Sequence, residues 1–304
     1  MKRLPTVIAV VGLVGTPALA ADLPIYKSPP MAPAPSSSWT GWYVGLNAGG
    51  TWANDHSVNT VSSAVQGFAD GTSPGSFAAT SAAGASGNVS VGNNASFIGG
   101  GQIGFNWQFS PAWVGGFEAD IQGIGNGSNS GTLNSAIAVT NATFINGTVP
   151  DVINTQITSS ARVDWLGTVR GRVGFLATPA FLVYGTGGLA YGGVKASTSI
   201  TQSNTDCANF GAAACVASNA ATSGAISQTR TGWTAGGGFE WLFAPQWSAK
   251  AEYLYYDLGS ATFGNGTLVT GAGTGGLGGP VVVASQSTVK FNGSIARVGI
   301  NYHF

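Results

Sequence analysis

Glu118 and Asp120 stand two residues apart, as do Arg170 and Arg172, and Lys250 and Glu252. In an extended chain that spacing puts both side chains of a pair on one face. Two carboxylates held together could divide acid and base roles between them. Mixed with cations, they could guide ions or lock into salt bridges. The charges that share one parity are Glu118, Asp120, Arg162, Asp164, Arg170, Arg172, Glu240, Lys250, Glu252 and Arg297. They are five acids and five bases, so they can neutralise one another. The expectation is a plug of salt bridges, with a charged constriction for ions as the alternative.

Other chemistry is sparse. Of the two histidines, His56 and His303, neither sits in a recognisable nucleophile and base constellation, so no catalytic residues are assigned and an enzyme is not expected. Gly99 to Gly104 spells G-x-G-x-x-G, but a dinucleotide fingerprint must open a helix after a strand, and here it lies within an alternating stretch. No cofactor or metal ligand set is expected. Asn141-Ala142-Thr143 matches a glycosylation pattern and is uninformative in a Ser/Thr-rich segment. Cys207 and Cys215 lie close together in a polar stretch and are read as a disulfide closing a small loop.

The elements that must hold these charges alternate with period two. Trp42, Val44, Leu46 and Ala48 share one face of a first strand, and Tyr43, Gly45, Asn47 and Gly49 the other. Phe97, Ile103, Phe105, Trp107 and Phe109 then share a face, Ser110-Pro111-Ala112 turns the chain, and Trp113, Phe117, Ala119 and Ile121 continue it. The unit recurs with Val163 to Phe175, a turn at Ala177-Thr178-Pro179, and Phe181 to Tyr191. It recurs again with Trp233 to Phe243, Ala244-Pro245-Gln246, and Trp247 to Tyr255. Three hairpins with a first and a last strand make eight.

These short turns alternate with long connections, roughly 53–95, 126–160, 194–229 and 258–286, as in barrels that cross an outer membrane with external loops. The apolar, aromatic-ended faces suit lipid and an interfacial girdle. A charge facing lipid at mid-bilayer costs about 2–4 kcal/mol. The inward parity of the ten charges avoids that cost, and outward Asp257 and Lys290 fall where strands emerge from the hydrocarbon.

The chain carries 48 glycines among 304 residues and only 7% charge, with a formal net charge of zero. A balanced, dilute charge leaves no footprint for nucleic acid. Residues 1–20 read as a signal peptide: basic Lys2 and Arg3, an apolar Val7 to Val14, and a small-x-small site at Ala18-Leu19-Ala20. Residues 21–40, with five prolines, read as a periplasmic linker, and 41–304 as the barrel.

Gly41-Trp42-Tyr43-Val44-Gly45, Gly104 to Gln108, Tyr184 to Gly192, Trp233 to Gly238 and the closing Arg297 to Phe304 together resemble the small outer-membrane β-barrel domain family of opacity-like surface antigens and porin-family immunogenic proteins. The resemblance covers Trp42 to Phe304. It implies an all-β, eight-stranded antiparallel transmembrane up-and-down barrel in the bacterial outer membrane. The implied role is structural and antigenic or adhesive, and a narrow porin-like channel for small solutes is the alternative. Arg297, Gly299, Tyr302 and Phe304 look like the signal that the β-barrel assembly machinery reads, which makes that machinery an expected partner. Outer-membrane lipid and lipopolysaccharide, and host or environmental surface ligands, complete the expected partners.

Overall fold

Strands dominate because the side chains alternate between lipid and lumen while every turn-end connection is only two residues long. The computed structural model describes residues 39–66, 74–125, 129–139, 151–206, 216–270 and 281–304. Residues 1–38, expected to be a signal peptide and linker, and Cys207, Cys215 and Asn141 lie outside the described residues.

In chain order the elements are β1 (Gly41–Ala53), β2 (Ser57–Gln66), helix α1 (Pro74–Gly84), β3 (Gly87–Ser90), β4 (Ser96–Ser110) and β5 (Trp113–Ile124). They continue with β6 (Asn129–Val139), β7 (Asp151–Thr178), β8 (Phe181–Asp206), β9 (Val216–Ala244), β10 (Trp247–Thr270) and β11 (Val281–His303). Eight of them close a ring in the order β1-β4-β5-β7-β8-β9-β10-β11. The ring shuts where β11 returns to β1, with Tyr43 opposite His303 and Ala53 opposite Gly293. Closure leaves no free sheet edge in the ring, as a strand wall facing lipid requires. Gly99 to Gly104 lie inside β4, and no helix follows them. Gly104 is instead a seat for the Tyr43 ring, since a Cβ there would collide with it.

The outer wall is apolar: Leu46, Phe97, Ile121, Leu189, Val298 and Phe304 are among its exposed side chains. Aromatic rings gather at two levels. Trp107, Phe109, Trp113, Phe175, Trp241, Phe243, Trp247, Tyr302 and Phe304 cluster at the turn end. Trp52 with Tyr253, Trp165 with Tyr191, and Trp233 with Tyr255 pair at the other level. On β7 the levels lie ten residues apart, from Trp165 to Phe175. At about 3.3 Å per residue and a tilt near 40°, that is roughly 25 Å, the height of an outer-membrane apolar band.

Beyond the second girdle the expected external loops are largely replaced by strands. The tube continues: β2 takes over from β1 against β11, β6 from β5 against β7, and β3 pairs with β2 where β4 had paired with β1. β7 and β8 stay paired from Thr178–Phe181 up to Ile153–Asn204. Ser, Thr, Asn and Ala composition reads as loop, yet a ladder needs only backbone N–H and C=O groups. Cross-strand hydroxyl pairs such as Ser160–Ser197 and Thr262–Thr288 line its solvent face. The seam between β2 and β6 is covered by the end of α1: Ser62 N donates to Ser86 Oγ, Ser62 Oγ to Ala85 O, and Ser135 Oγ to Gly84 O. Helix α1, within a stretch expected to be loop, buries Ala78 and Ala82 inside the tube against Ile157, Ile200, Leu268 and Val283.

The interior is filled in layers. At the turn end Trp39, Val114, Leu176, Leu182 and Tyr184 pack together. Trp39, assigned above to the linker, is fully buried and donates from Nε1 to Pro179 O. A polar layer follows. Above it Ile98, Leu166, Leu254, Leu258, Phe263, Phe291 and Ile295 form an apolar layer, and the α1 cluster lies beyond that.

Candidate functional site

The polar layer is built by β5, β7, β9, β10 and β11. Their register sets opposite charges face to face: Glu118 opposite Arg170, Lys250 opposite Glu240, and Glu252 opposite Arg297. Lysine at 250 and glutamate at 252 share one face of β10, as the i, i+2 spacing requires.

Glu118 is the hub. It accepts from Arg170 Nη2 at 2.5 Å, from Lys250 Nζ at 2.7 Å on both oxygens, and from Tyr43 OH at 2.7 Å. Asp120 Oδ2 accepts from Arg170 Nη2 at 2.9 Å, Arg297 Nη2 at 2.8 Å and Thr168 Oγ1 at 2.9 Å. Glu252 takes Arg170 Nη1 at 2.9 Å and Arg297 Nη2 at 2.6 Å. Glu240 takes Arg172 Nη2 at 2.8 Å, Asn301 Nδ2 at 2.7 Å and Ser248 Oγ at 2.5 Å. Arg172 also lies over the rings of Tyr43 and Tyr184, 5.2 and 4.9 Å from their centroids. Each ion removed from water costs several kcal/mol, and dense pairing of this kind is what offsets it.

Eight of the ten charges expected in the lumen meet here: Glu118, Asp120, Arg170, Arg172, Glu240, Lys250, Glu252 and Arg297, four acids and four bases, all buried. Arg162 and Asp164 do not. The ladder of β7 with β8 shifts between Val163 and Trp165, and that bulge reverses the parity. Val163 turns inward to the apolar layer, while Arg162 and Asp164 pair at the surface with side chains 41% and 32% exposed. Asp164 also binds Lys195 at 2.8 Å. Asp257 and Lys290 pair at 3.2 Å.

Residues that the charge pattern did not single out complete the layer: Tyr43, Gln122, Thr168, Tyr184, Ser248 and Asn301. Their signal was present, since each is a polar side chain on the inward parity of its strand.

Acid, base and hydroxyl do approach one another at the turn end. Ser248 Oγ lies 2.9 Å from His303 Nε2 and donates to Glu240. This is not a nucleophilic triad. The carboxylate binds the hydroxyl rather than the far ring nitrogen of the histidine, and Ser248 is fully buried. His56 lies between β1 and β2, just beyond the second girdle, where its carbonyl accepts from Val91 N. Among the described residues no group of three or more His, Cys, Asp or Glu side chains could hold a metal.

The last strand carries both faces of the ring wall. Arg297 joins the charge layer, and Gly299 packs close to β1, where a Cβ would come 3.0 Å from Leu46 O. Tyr302 lies between Trp247 and Phe304 at 5.2 and 5.3 Å. Phe304 N donates to Trp42 O, and its ring is exposed to the lipid side.

A family model described as outer membrane protein beta-barrel domain matches residues 6–304. The 31 kDa outer-membrane immunogenic protein of Brucella melitensis biotype 1 is 32% identical over 305 residues, 97% of each chain. The 22 kDa outer membrane protein of Rhizobium leguminosarum bv. viciae is 29% identical over 176 residues, 55% of this chain and 59% of the relative. The crystal structure of OprG from Pseudomonas aeruginosa aligns over 87% of this chain and 97% of its own at 13% identity, with a TM-score of 0.37. The fold therefore rests on the strand register described above.

Proposed function

The chain belongs to the outer membrane protein beta-barrel domain family and is an outer-membrane protein, and we propose that it serves there as a closed anchor and surface antigen, with no catalytic activity. The observation that carries this is the filled lumen. Trp39 and its apolar neighbours, the eight-charge layer, the Leu and Phe layer above, and α1 succeed one another along the axis. An eight-stranded ring leaves an interior only just wide enough for side chains.

In this reading the tube beyond the second girdle is the working part. It presents Ser, Thr, Asn and Gln faces to the outside, and a cavity of about 730 Å³ lined by Asn134, Thr155, Gln202 and Asn219 suits surface ligands of a host or the environment. The assembly machinery is proposed as a partner through the last strand, whose Tyr302 and Phe304 rings face the lipid side at the turn end. Relatives named immunogenic support surface display. A strain lacking the protein is expected to become more sensitive to detergents and to lose adhesion. Restoring the chain without residues 129–160 should recover detergent resistance but not adhesion. Unchanged sensitivity and adhesion in the deletion strain would remove this reading.

A narrow porin-like channel is the second reading. It is favoured by the buried polar atoms that have no partner among the described residues, including both side-chain atoms of Asn106 and Nε2 of Gln122, which a hydrated path could use. Liposomes carrying the protein should swell in small sugars if that path runs through.

A further inference from the structure

The described residues hold four Lys and Arg outside the lumen layer: Arg162, Lys195, Arg230 and Lys290. Each stands a few residues beyond the second aromatic girdle. Arg162 is three residues from Trp165, Lys195 four from Tyr191 and Arg230 three from Trp233. Lys290 is opposite Ser260, five residues past Tyr255. Three to five tilted residues rise roughly 8–13 Å, which is head-group depth.

Two of these cations form an unusual pair. Arg162 and Lys195 are direct cross-strand partners on β7 and β8, an arrangement in which like charges repel. A single carboxylate lies between them: Asp164 Oδ1 is 3.0 Å from Arg162 Nε, and Oδ2 is 2.8 Å from Lys195 Nζ. One positive charge is left over, and both cationic side chains remain more than 40% exposed. Just below, Trp165 and Tyr191 pack edge to face at 5.9 Å.

Above the pair the outward face changes character. Ser160 meets Ser197 at 2.8 Å, Thr158 meets Thr132 at 3.3 Å, and Gln156 Nε2 donates to Asn134 Oδ1 at 3.2 Å. Between residues 152–160 and 196–203 there is no charged or aromatic side chain. Moving outward, the surface is thus apolar and aromatic, then cationic, then hydroxyl and amide.

We propose that the outward face of β7 and β8 docks a phosphorylated glycolipid of the outer leaflet. Its acyl chains lie against the wall below Trp165 and Tyr191, a phosphate bridges Arg162 and Lys195, and its sugars meet the Ser160, Ser197, Thr158 and Gln156 face. A phosphate relieves the repulsion that one carboxylate leaves, with charge-assisted hydrogen bonds from both cations. The inference rests on the membrane-spanning reading but not on whether the lumen conducts.

The test is native mass spectrometry of the detergent-folded mature chain with three probes: lipopolysaccharide, the same glycolipid enzymatically dephosphorylated, and phosphatidylglycerol. Wild type should retain lipopolysaccharide about tenfold better than either of the others, a single charge-assisted contact's worth. Arg162→Ala with Lys195→Ala should erase that preference, and Lys195→Arg should keep it. Equal retention of the dephosphorylated probe, equal retention of phosphatidylglycerol, or an unchanged preference in the double variant each overturns the proposal. The first two arms need only wild type, so a misfolded variant does not block the test.

Discussion

Glu118 on β5 and Arg170 on β7 are direct cross-strand partners joined at 2.5 Å, with side chains 3% and 0% exposed. The same guanidinium reaches Asp120 and Glu252, so one arginine ties together three acids from two strands. Removing it leaves four buried acids against three bases, because Glu118 keeps only Lys250 at short range and Asp120 and Glu252 must share Arg297. Arg170→Ala is therefore expected to destabilise the folded barrel by about 3–5 kcal/mol, read as a lower urea midpoint in detergent. Glu118→Gln combined with Arg170→Met should cost less than the sum of the two single changes, because these groups share one network.

Asp164 offers the contrast. Its ion pairs are surface pairs, so Asp164→Asn should change stability by less than about 1 kcal/mol, whereas Asp120→Asn should cost several times more. Equal effects in the same urea titration would place Asp164 back in the lumen.

Trp39 closes the turn end through packing with Leu176 and Leu182 and a hydrogen bond to Pro179. Trp39→Ala should cost about 3–5 kcal/mol. It should also expose His303, whose ring lies 6.0 Å from the indole, to acylating reagents. Unchanged His303 reactivity would mean that Trp39 does not shield the mouth.

Helix α1 is held inside the outer tube by small residues. Ala82→Glu would bury an unpaired charge among Ile157, Ile200 and Leu268. Limited proteolysis should then cut beyond the second girdle while the ring keeps its heat-dependent gel migration. Digestion of the ring at the same rate would show that the two levels fold as one unit.

How much of this was legible in the sequence follows from what period two can report. Alternation placed Leu46, Phe105 and Ile300 outside and Glu118, Arg170 and Glu252 inside, because lipid and lumen demand opposite side chains at every step. It cannot report the bulge at Val163 and Trp165, which changes only the backbone, so strict alternation puts Arg162 and Asp164 inside while the structure has them at the surface. The outer tube was invisible for a different reason. Inward Ile153, Ile157 and Ile200 are interspersed with Thr155, Ser159, Thr198 and Gln202, which blurs the hydropathy alternation, although the β7–β8 ladder runs without interruption from Ser160–Ser197 to Asn154–Ser203. Helix α1, rich in Ala, Ser and Gly, looks like loop composition. Trp39 followed a proline run and carried no pattern of its own.

The central claim is that the lumen is closed, and single-channel recording in planar bilayers tests it most directly. The purified, folded protein should give no reproducible conductance steps, and neither should Arg172→Ala, because the apolar layers on both sides of the charges remain. Regular open steps from the wild-type protein, with an ion selectivity that shifts on replacing Arg170 or Arg172, would contradict it.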